Sequence, residues 1–345
     1  MINDEIISKD IQEIVSDLKD IIPSLENKSI LITGGRGFLG TYFLKTFLEI
    51  NQLLANPIQI FVIDNLITSK NDVAQYPNVT FIESDISKKI EISESINYII
   101  HSASIASPPM YRKFPLKTIV VNYQGTRNLL DLAREKNVEG MLFLSSSEIY
   151  GDPKIVPTPE TYWGNVSCNG PRACYDESKR LAETVCLAYH QEFKTPIKIA
   201  RPFNAYGPYL NLDDGRAIPD FFKNAIEKSK IILHSDGTPS RSFCYVSDSI
   251  RGFLKILFYG KPGSIYNVGN DEEISMKELS EKIKKIVGNV EIVFQKSDDE
   301  YYTTDNPQRR VPDLSKIKNN LGYFPKISLD EGLKRVYKWY KVNKS

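Results

Sequence analysis

The sequence predicts an α/β chain: a doubly wound parallel sheet with helices on both faces, followed by a smaller C-terminal α/β part. Three observations carry that prediction. Short apolar runs alternate with helical patterns from residue 29 to about 203. A glycine-rich turn, Gly34 to Gly40, joins the first run to the first helix. A carboxylate, Asp64, closes the second run.

The elements follow in order. Residues 1–25 read as helical, because Ile7, Ile11, Ile14, Leu18 and Ile21 form one apolar seam and Pro23 ends it. This helix packs either on its own domain or on a partner subunit. Ser29 to Thr33 is the first strand, and a helix over about 38–52 follows it. Ile58 to Asp64, Thr80 to Ser84 and Tyr98 to His101 read as strands two to four. A helix near 116–137 leads to a fifth strand at Gly140 to Ser145, and a helix near 176–193 leads to a sixth at Ile197 to Arg201. Helices between successive strands imply crossovers and a parallel order. Beyond about 204 the rhythm loosens. Residues 28–203 are therefore expected to form the nucleotide-binding unit, with elements near 242–270 returning to it. Residues 204–345 are expected to form mainly a second, substrate-side domain, and residues 1–27 an additional helix.

Composition excludes several classes. The 345 residues allow two modest domains. Lys and Arg number 44 against 43 Asp and Glu, a formal charge of +1, so no global field favours nucleic acid or a membrane surface. Hydrophobic residues at 41% and charged residues at 25% are ordinary for a globular chain, which argues against global disorder. Cys168, Cys174, Cys186 and Cys244 lack paired metal-ligand spacing and are too few for a disulfide scaffold. No apolar stretch is long enough to span a bilayer, and the charged N-terminus is unlike a signal peptide. The expectation is a reduced, cytoplasmic chain. His101 and His190 lack convergent partners and read as structural.

The glycine turn carries the first chemistry. Gly34, Gly37 and Gly40 make G-x-x-G-x-x-G between a strand and a helix. Glycine permits positive φ and close approach of backbone N–H groups to a pyrophosphate, which the helix N-terminus then faces. Asp64 suits the paired hydroxyls of an adenosine ribose and repels a 2′-phosphate, so NAD is favoured over NADP, although Arg36 in the turn is suited to that phosphate. Asp85 ends the third strand; it either meets the adenine or caps its loop. Together these define a Rossmann-type fold.

The second constellation lies between strand five and the next helix. Ser145-Ser146-Ser147-Glu148 ends the strand, and Tyr175 and Lys179 stand four apart at a helix head, on one face. A free phenol ionises near pH 10. A nearby ammonium and an oxidised nicotinamide stabilise phenolate, and Ser146 is placed to orient a substrate alcohol. The set suits removal of a hydroxyl proton while hydride leaves the same carbon.

These motifs resemble the extended short-chain dehydrogenase/reductase family (NAD-dependent epimerases and dehydratases), in its nucleotide-sugar branch, over nearly all of residues 28–340. Ser104 to Tyr111, Ser146 to Pro153, Gly170 to Arg180, Asp214 to Arg216, Arg241 to Asp248 and Asn306 to Asp313 fit the UDP-glucuronate decarboxylases within it. The resemblance implies that NAD oxidises C4 of a hexose while Tyr175 accepts the proton and Lys179 tunes it. Ser147 stands where 4,6-dehydratases carry an acidic residue for the leaving hydroxyl, and Glu148 where simple 4-epimerases lack a carboxylate. Decarboxylation of a β-keto acid is the implied second half. Dehydration, or another 4-oxidising reaction such as epimerisation, is the alternative.

The resemblance also assigns residues. Gly34, Gly37, Phe38, Leu39, Gly40, Asp64, Asn65, Asp85, Ile86 and Ala103 fall on the cofactor side with Tyr175 and Lys179. Pro109, Tyr111, Arg172, Asn204, Arg216, Arg241 and Tyr301 fall on the sugar-nucleotide side, with Tyr302 as a second stacking candidate. Arg241 is matched to a sugar carboxylate and Arg216 to phosphate, and the two are interchangeable. Glu148 is either the acid/base near C5 or a structural carboxylate. Asp298 and Asp299 read as solvated. Arg36, Asn65 to Thr68, Ser167 to Asn169 and Tyr209 depart from the decarboxylase pattern. A UDP-sugar substrate and a homodimer built from the helices near 116–137 and 176–193 are implied.

Overall fold

Isoleucine, leucine and phenylalanine dominate the runs that become the central sheet, and every residue of Ser29–Thr33 and Gly140–Leu144 is buried. Such strands need cover on both faces. In the computed structural model, which describes residues 2–67, 75–297, 301, 304 and 306–343, both faces are covered. The first half of the chain runs α1 (Ile2–Ser16), β1 (Ser29–Thr33), α2 (Phe38–Asn51), β2 (Gln59–Asp64), β3 (Val79–Glu83), β4 (Tyr98–His101), α3 (Pro108–Lys113), α4 (Pro115–Val120), α5 (Thr126–Glu135), β5 (Gly140–Leu144), α6 (Ala173–Phe193) and β6 (Ile197–Pro202). The second half adds β7 (Ala205–Tyr206), α7 (Ala217–Lys228), β8 (Lys230–Leu233), β9 (Ser240–Ser242), β10 (Cys244–Tyr245), α8 (Val246–Tyr259), β11 (Ile265–Val268), β12 (Glu273–Ser275), α9 (Met276–Val287), β13 (Glu291–Phe294), β14 (Arg309–Arg310), α10 (Ser315–Leu321) and α11 (Leu329–Val342).

Seven strands form one parallel sheet in the order β11-β6-β5-β4-β1-β2-β3. Alternation along each strand divides the core. Ile30, Ile32, Ile100 and Leu142 face a cluster shared with α1, α2, α8 and α11, and Leu31, Ile99, Met141 and Phe143 face one shared with α5 and α6. The order reverses between β1 and β4, so a crevice opens beyond their C-terminal ends. Ligands of open α/β sheets bind in such a crevice. Small pairings (β7 with β10, β9 with β12 and β14, β8 with β13) carry the C-terminal part.

Three element boundaries differ from the sequence reading. The N-terminal helix stops at Ser16, and Pro23 lies within a single turn of tighter helix at Ile22–Leu25, where its missing N–H is harmless. Ile7, Ile11, Ile14 and Leu18 are buried, and α1 packs on α2, α8 and α11 of its own chain. The helix expected over 116–137 is broken into α4 and α5 by a wide turn, Val121–Gly125. There Gly125 has no room for a side chain, because an added Cβ would stand 2.6 Å from Ile86 Cδ1. Helix α6 starts three residues early, at Ala173, so Tyr175 and Lys179 lie in its first two turns.

Candidate active site

The turn from β1 into α2 shapes the crevice floor. Gly34 has φ +69°, and a Cβ there would lie 2.8 Å from Ala103 Cα. At Gly40 it would lie 2.1 Å from Gly34 O. Only glycine lets the turn, the β4 loop and the helix meet this closely. Gly37 precedes α2 without a side-chain cap, and the first turn, Phe38 to Gly40, holds no acidic residue. Its N–H groups and partial positive charge stay unneutralised from within the chain.

Asp64 stands at the end of β2. Its Oδ2 accepts the N–H of Arg36 at 3.0 Å and its Oδ1 that of Leu66 at 2.9 Å. A carboxylate held by its own turn at a strand end suits the paired hydroxyls of a ribose. Asn65 closes the adjoining turn on Ile67 N–H. Arg36 turns its guanidinium to the Phe81 ring, 5.6 Å from the centroid. An uncapped helix N-terminus, a side-chain-free cradle and a carboxylate at the β2 end fit a dinucleotide such as NAD.

Two cofactor-side expectations change. Asp85 caps its own loop, its Oδ1 accepting Ser87 N–H at 3.0 Å and Ser87 Oγ at 2.8 Å. Ile86 is buried beneath Gly125, and its carbonyl accepts from Asn128 Nδ2 at 2.8 Å, so neither its side chain nor its carbonyl faces the crevice. His101 is structural and neutral. Burial holds its pKa far down, and it bridges Thr33 Oγ1 and Thr126 Oγ1 at 3.0 Å each. His190 Nδ1 contacts the Thr195 carbonyl.

The catalytic group assembles from β5 and α6. Ser146 accepts the Glu148 N–H at 3.1 Å, and its hydroxyl lowers the pKa of the neighbouring Tyr175 phenol. Ser147 follows, buried, at the start of the turn Ser147–Tyr150. Tyr111 stacks on Tyr175 with ring centroids 5.2 Å apart, and its hydroxyl is buried without a partner. Lys179 Nζ donates to the Leu144 carbonyl at 2.8 Å and lies 6.0 Å from the Tyr175 ring centroid. Asn122, which sequence reasoning did not single out, links Ser104 at 2.7 Å to Ser178 at 2.9 Å, between Tyr175 and Lys179 in sequence.

Without the cofactor's charge the phenol is not activated. Burial pushes Tyr175 up to about 12, with Glu148 and Asp176 adding to the rise and Ser146 and Arg216 opposing it. Burial also lowers Lys179 to about 7. Desolvation penalises both charged forms and outweighs their mutual attraction at this separation.

Of the two readings of Glu148, its contacts favour the structural carboxylate. Arg310 grips it through two parallel bonds of 2.5 and 2.6 Å, and Arg172 Nη2 adds a third at 2.6 Å. Burial raises its pKa, but the two guanidiniums outweigh that and hold it at about 2. Glu148 is therefore an ionised, clamped carboxylate rather than a proton donor. Arg172, expected on the substrate, faces Glu148 and Asp176. Arg310 was absent from the expected site residues although its run, Asn306 to Arg310, matched the family pattern.

Arg241 is drawn into its own segment. It donates to the Ser240 and Gln308 carbonyls at 2.7 and 3.3 Å and to Asn306 Oδ1 at 2.8 Å. These contacts hold the Arg241 guanidinium between its own strand and the segment that leads into β14. Asn204, at φ +35°, donates to the Ser242 carbonyl at 2.9 Å, which ties it to the Arg241 strand. Arg216 forks onto Asp214 and acts electrostatically on Tyr175. Pro109 packs against Gly215, whose added Cβ would stand 2.8 Å from Pro109 Cγ, so two matched runs meet there. Tyr301 is half exposed. Tyr302, Asp298, Asp299 and Thr68 lie outside the described residues. Among the described residues no group of acidic, His and Cys side chains could hold a metal, and no helix is long and apolar enough to cross a membrane.

Fold and site together define a nucleotide-dependent enzyme that works on a substrate hydroxyl. The chain belongs to the NAD dependent epimerase/dehydratase family, whose pattern it matches over residues 30–269. It is 40% identical over 312 residues to UDP-glucuronic acid decarboxylase 3 of Arabidopsis thaliana, covering 89% of this chain and 87% of that one. It is 35% identical over 355 residues to UDP-glucuronic acid decarboxylase 1 of Xenopus tropicalis, covering 96% and 81%. Among solved structures it superposes on the dTDP-glucose 4,6-dehydratase DesIV of Streptomyces venezuelae, determined with NAD bound, at TM-score 0.78 and 26% identity, covering 92% and 98%.

Proposed function

We propose that this protein is a UDP-glucuronate decarboxylase that forms UDP-xylose and carbon dioxide with no net oxidation. The observation that carries the reading is Glu148, clamped by Arg172 and Arg310 beside the Tyr175–Ser146 pair. Arg310 and Arg172 hold Glu148, with Asp176 beside Arg172, and planar guanidinium forks of this kind suit recognition of a sugar that itself carries a carboxylate. The two relatives above are named for this activity. Dehydration is disfavoured because Ser147 supplies no acid for a leaving hydroxyl.

NAD held by the Gly34–Gly40 turn and Asp64 would supply the hydride acceptor for C4 and the donor for the closing reduction. The rest is the work of the chain. Ser146 holds the C4 hydroxyl against the Tyr175 oxygen. Lys179 ionises near pH 7 and Tyr175 near 12, so the pair sheds its first proton near neutrality. Tyr175 acts as base when positive charge beside it favours phenolate with ammonium. A 4-ketone makes the substrate a β-keto acid. Loss of carbon dioxide leaves the bond's electron pair in an enolate that the 4-ketone delocalises. A proton taken up from water at C5 completes the carbon skeleton.

Incubation with UDP-glucuronate is expected to release carbon dioxide and give UDP-xylose without added reductant, read by NMR. Unchanged UDP-glucuronate with folded, NAD-loaded protein overturns the reading. A 4-keto-6-deoxy product from dTDP-glucose favours dehydration.

The protein is also read as a homodimer. Leu116, Ile119 and Val120 on α4 and Leu181 on α6 are exposed apolar residues on the helices expected to pair. Sedimentation showing only monomer overturns this. The four free cysteines suit a reducing, cytoplasmic setting.

A further inference from the structure

We infer that Tyr150 and Asn267, which touch neither substrate nor cofactor, are positioning residues that set the Glu148–Arg310 pair against Tyr175; this rests on the decarboxylase reading of that pair. Tyr150 lies two residues beyond Glu148 in the same short turn and is buried. Its hydroxyl donates to Asn267 Oδ1 at 2.7 Å and accepts from Arg201 Nη1 at 2.8 Å. Both oxygen sites are therefore filled by buried groups, with no freedom to rotate.

Each partner leads to a different part of the site. Arg201 forks onto Glu183 at 2.9 and 2.6 Å. Glu183 lies one helical turn beyond Lys179 on α6, so this arm ties the Glu148 turn to the helix of the base. Asn267 Nδ2 donates to the carbonyls of Thr158 and Asp313 at 2.9 and 3.1 Å. Thr158 in turn pairs with Val311, the residue after Arg310, through its N–H at 2.8 Å. This arm ties the turn to the strand that carries Arg310. The clamp is thus closed twice, once directly between Glu148 and Arg310 and once behind them through Tyr150 and Asn267.

A bidentate fork tolerates little displacement, and its oxygens sit only one turn from the Tyr150 anchor. Loss of the anchor is expected to misplace the fork while leaving α6, and hence the first proton transfer, in place. The oxidation half then proceeds and the decarboxylation half stalls.

Tyr150→Phe removes one hydroxyl and keeps the ring between Tyr162 and Phe203. With UDP-glucuronate, kcat for carbon dioxide release is expected to fall roughly 10–100-fold. KM and NAD content are expected to hold within about twofold, and reduced cofactor to accumulate in the near-ultraviolet. Asn267→Ser, which cannot span to Asp313 and Thr158, is expected to give the same split if the first variant is poorly folded. A purely structural role lowers the melting point and the active fraction, with unchanged turnover per active site and no reduced cofactor; that result overturns the inference. A crystal structure of Tyr150→Phe reads the claim without turnover: the Glu148–Arg310 fork displaced by about 1 Å supports it, and an unmoved fork overturns it. Wild-type protein inert toward UDP-glucuronate defeats the decarboxylase reading alone, because the fork geometry still decides the positioning.

Discussion

Glu148 and Arg310, 162 positions apart in sequence, share two parallel hydrogen bonds of 2.5 and 2.6 Å within reach of the Tyr175 phenol's field. Arg310 is almost wholly buried, so the pair trades hydration for a fork whose second carboxylate oxygen also serves Arg172. Such a pair is stable while complete and costly when halved.

Arg310→Met halves it. The expected loss is about 3 kcal/mol, at the low end for a broken buried pair because Arg172 remains on Glu148. The Glu148 pKa is expected to rise from about 2. The sign of the pH effect follows. A carboxyl whose folded pKa lies below the unfolded 4.5 contributes stability above about pH 4.5 and loses it as pH falls toward 2. Urea unfolding between about pH 3 and 7 checks this: wild type is expected to lose more stability toward low pH than the variant, and parallel curves contradict it.

The Tyr175–Lys179 pair predicts the rate profile. Because the first proton leaves near pH 7, the rate of C4 oxidation is expected to fall on the acid side of about 7. Lys179→Met leaves the phenol, near 12, to ionise alone. Its acid limb is expected to move upward by several pH units, with turnover near neutrality lowered by at least about 100-fold. Stopped-flow cofactor reduction across pH reads both limbs, and an unmoved limb rejects the pairing.

Gly34→Ala tests the cofactor cradle. The new Cβ meets backbone at Ala103, 2.8 Å away, at a φ of +69°. The strain is about 1–2 kcal/mol, and the turn must shift from its position under the dinucleotide. NAD affinity is expected to fall at least about tenfold by calorimetry, with the α/β circular dichroism retained. Unchanged affinity removes the turn from the binding site.

Asp10 tests the N-terminal helix. It is fully buried, and it accepts from the hydroxyls of Tyr42 and Tyr245 at 2.8 Å each and from Arg335 at 2.7 Å. Burial outweighs those bonds and pushes its pKa up to about 6 from 3.8. Between these values the folded chain binds more protons than the unfolded one, so this group's contribution declines as pH rises through about 4 to 6. Wild type is expected to lose up to about 3 kcal/mol relative to Asp10→Asn between about pH 4 and 7. Denaturant titrations at several pH values measure the difference, and an advantage growing with pH contradicts it.

The sequence by itself determined what short-range geometry can encode. Strand and helix order follow from apolar periodicity, because a side chain's face is fixed by its spacing within one element. The glycine turn followed by Asp64, and Tyr175 four residues before Lys179, were legible for the same reason. Tertiary structure decided what depends on elements meeting. It brought Arg310 to Glu148, turned Arg172 from substrate to carboxylate, and seated Asp10 among Tyr42, Tyr245 and Arg335. It also left the Tyr175 phenol raised by burial, since ionisation inside a protein is governed by the water and charge removed around a group, which no local spacing records.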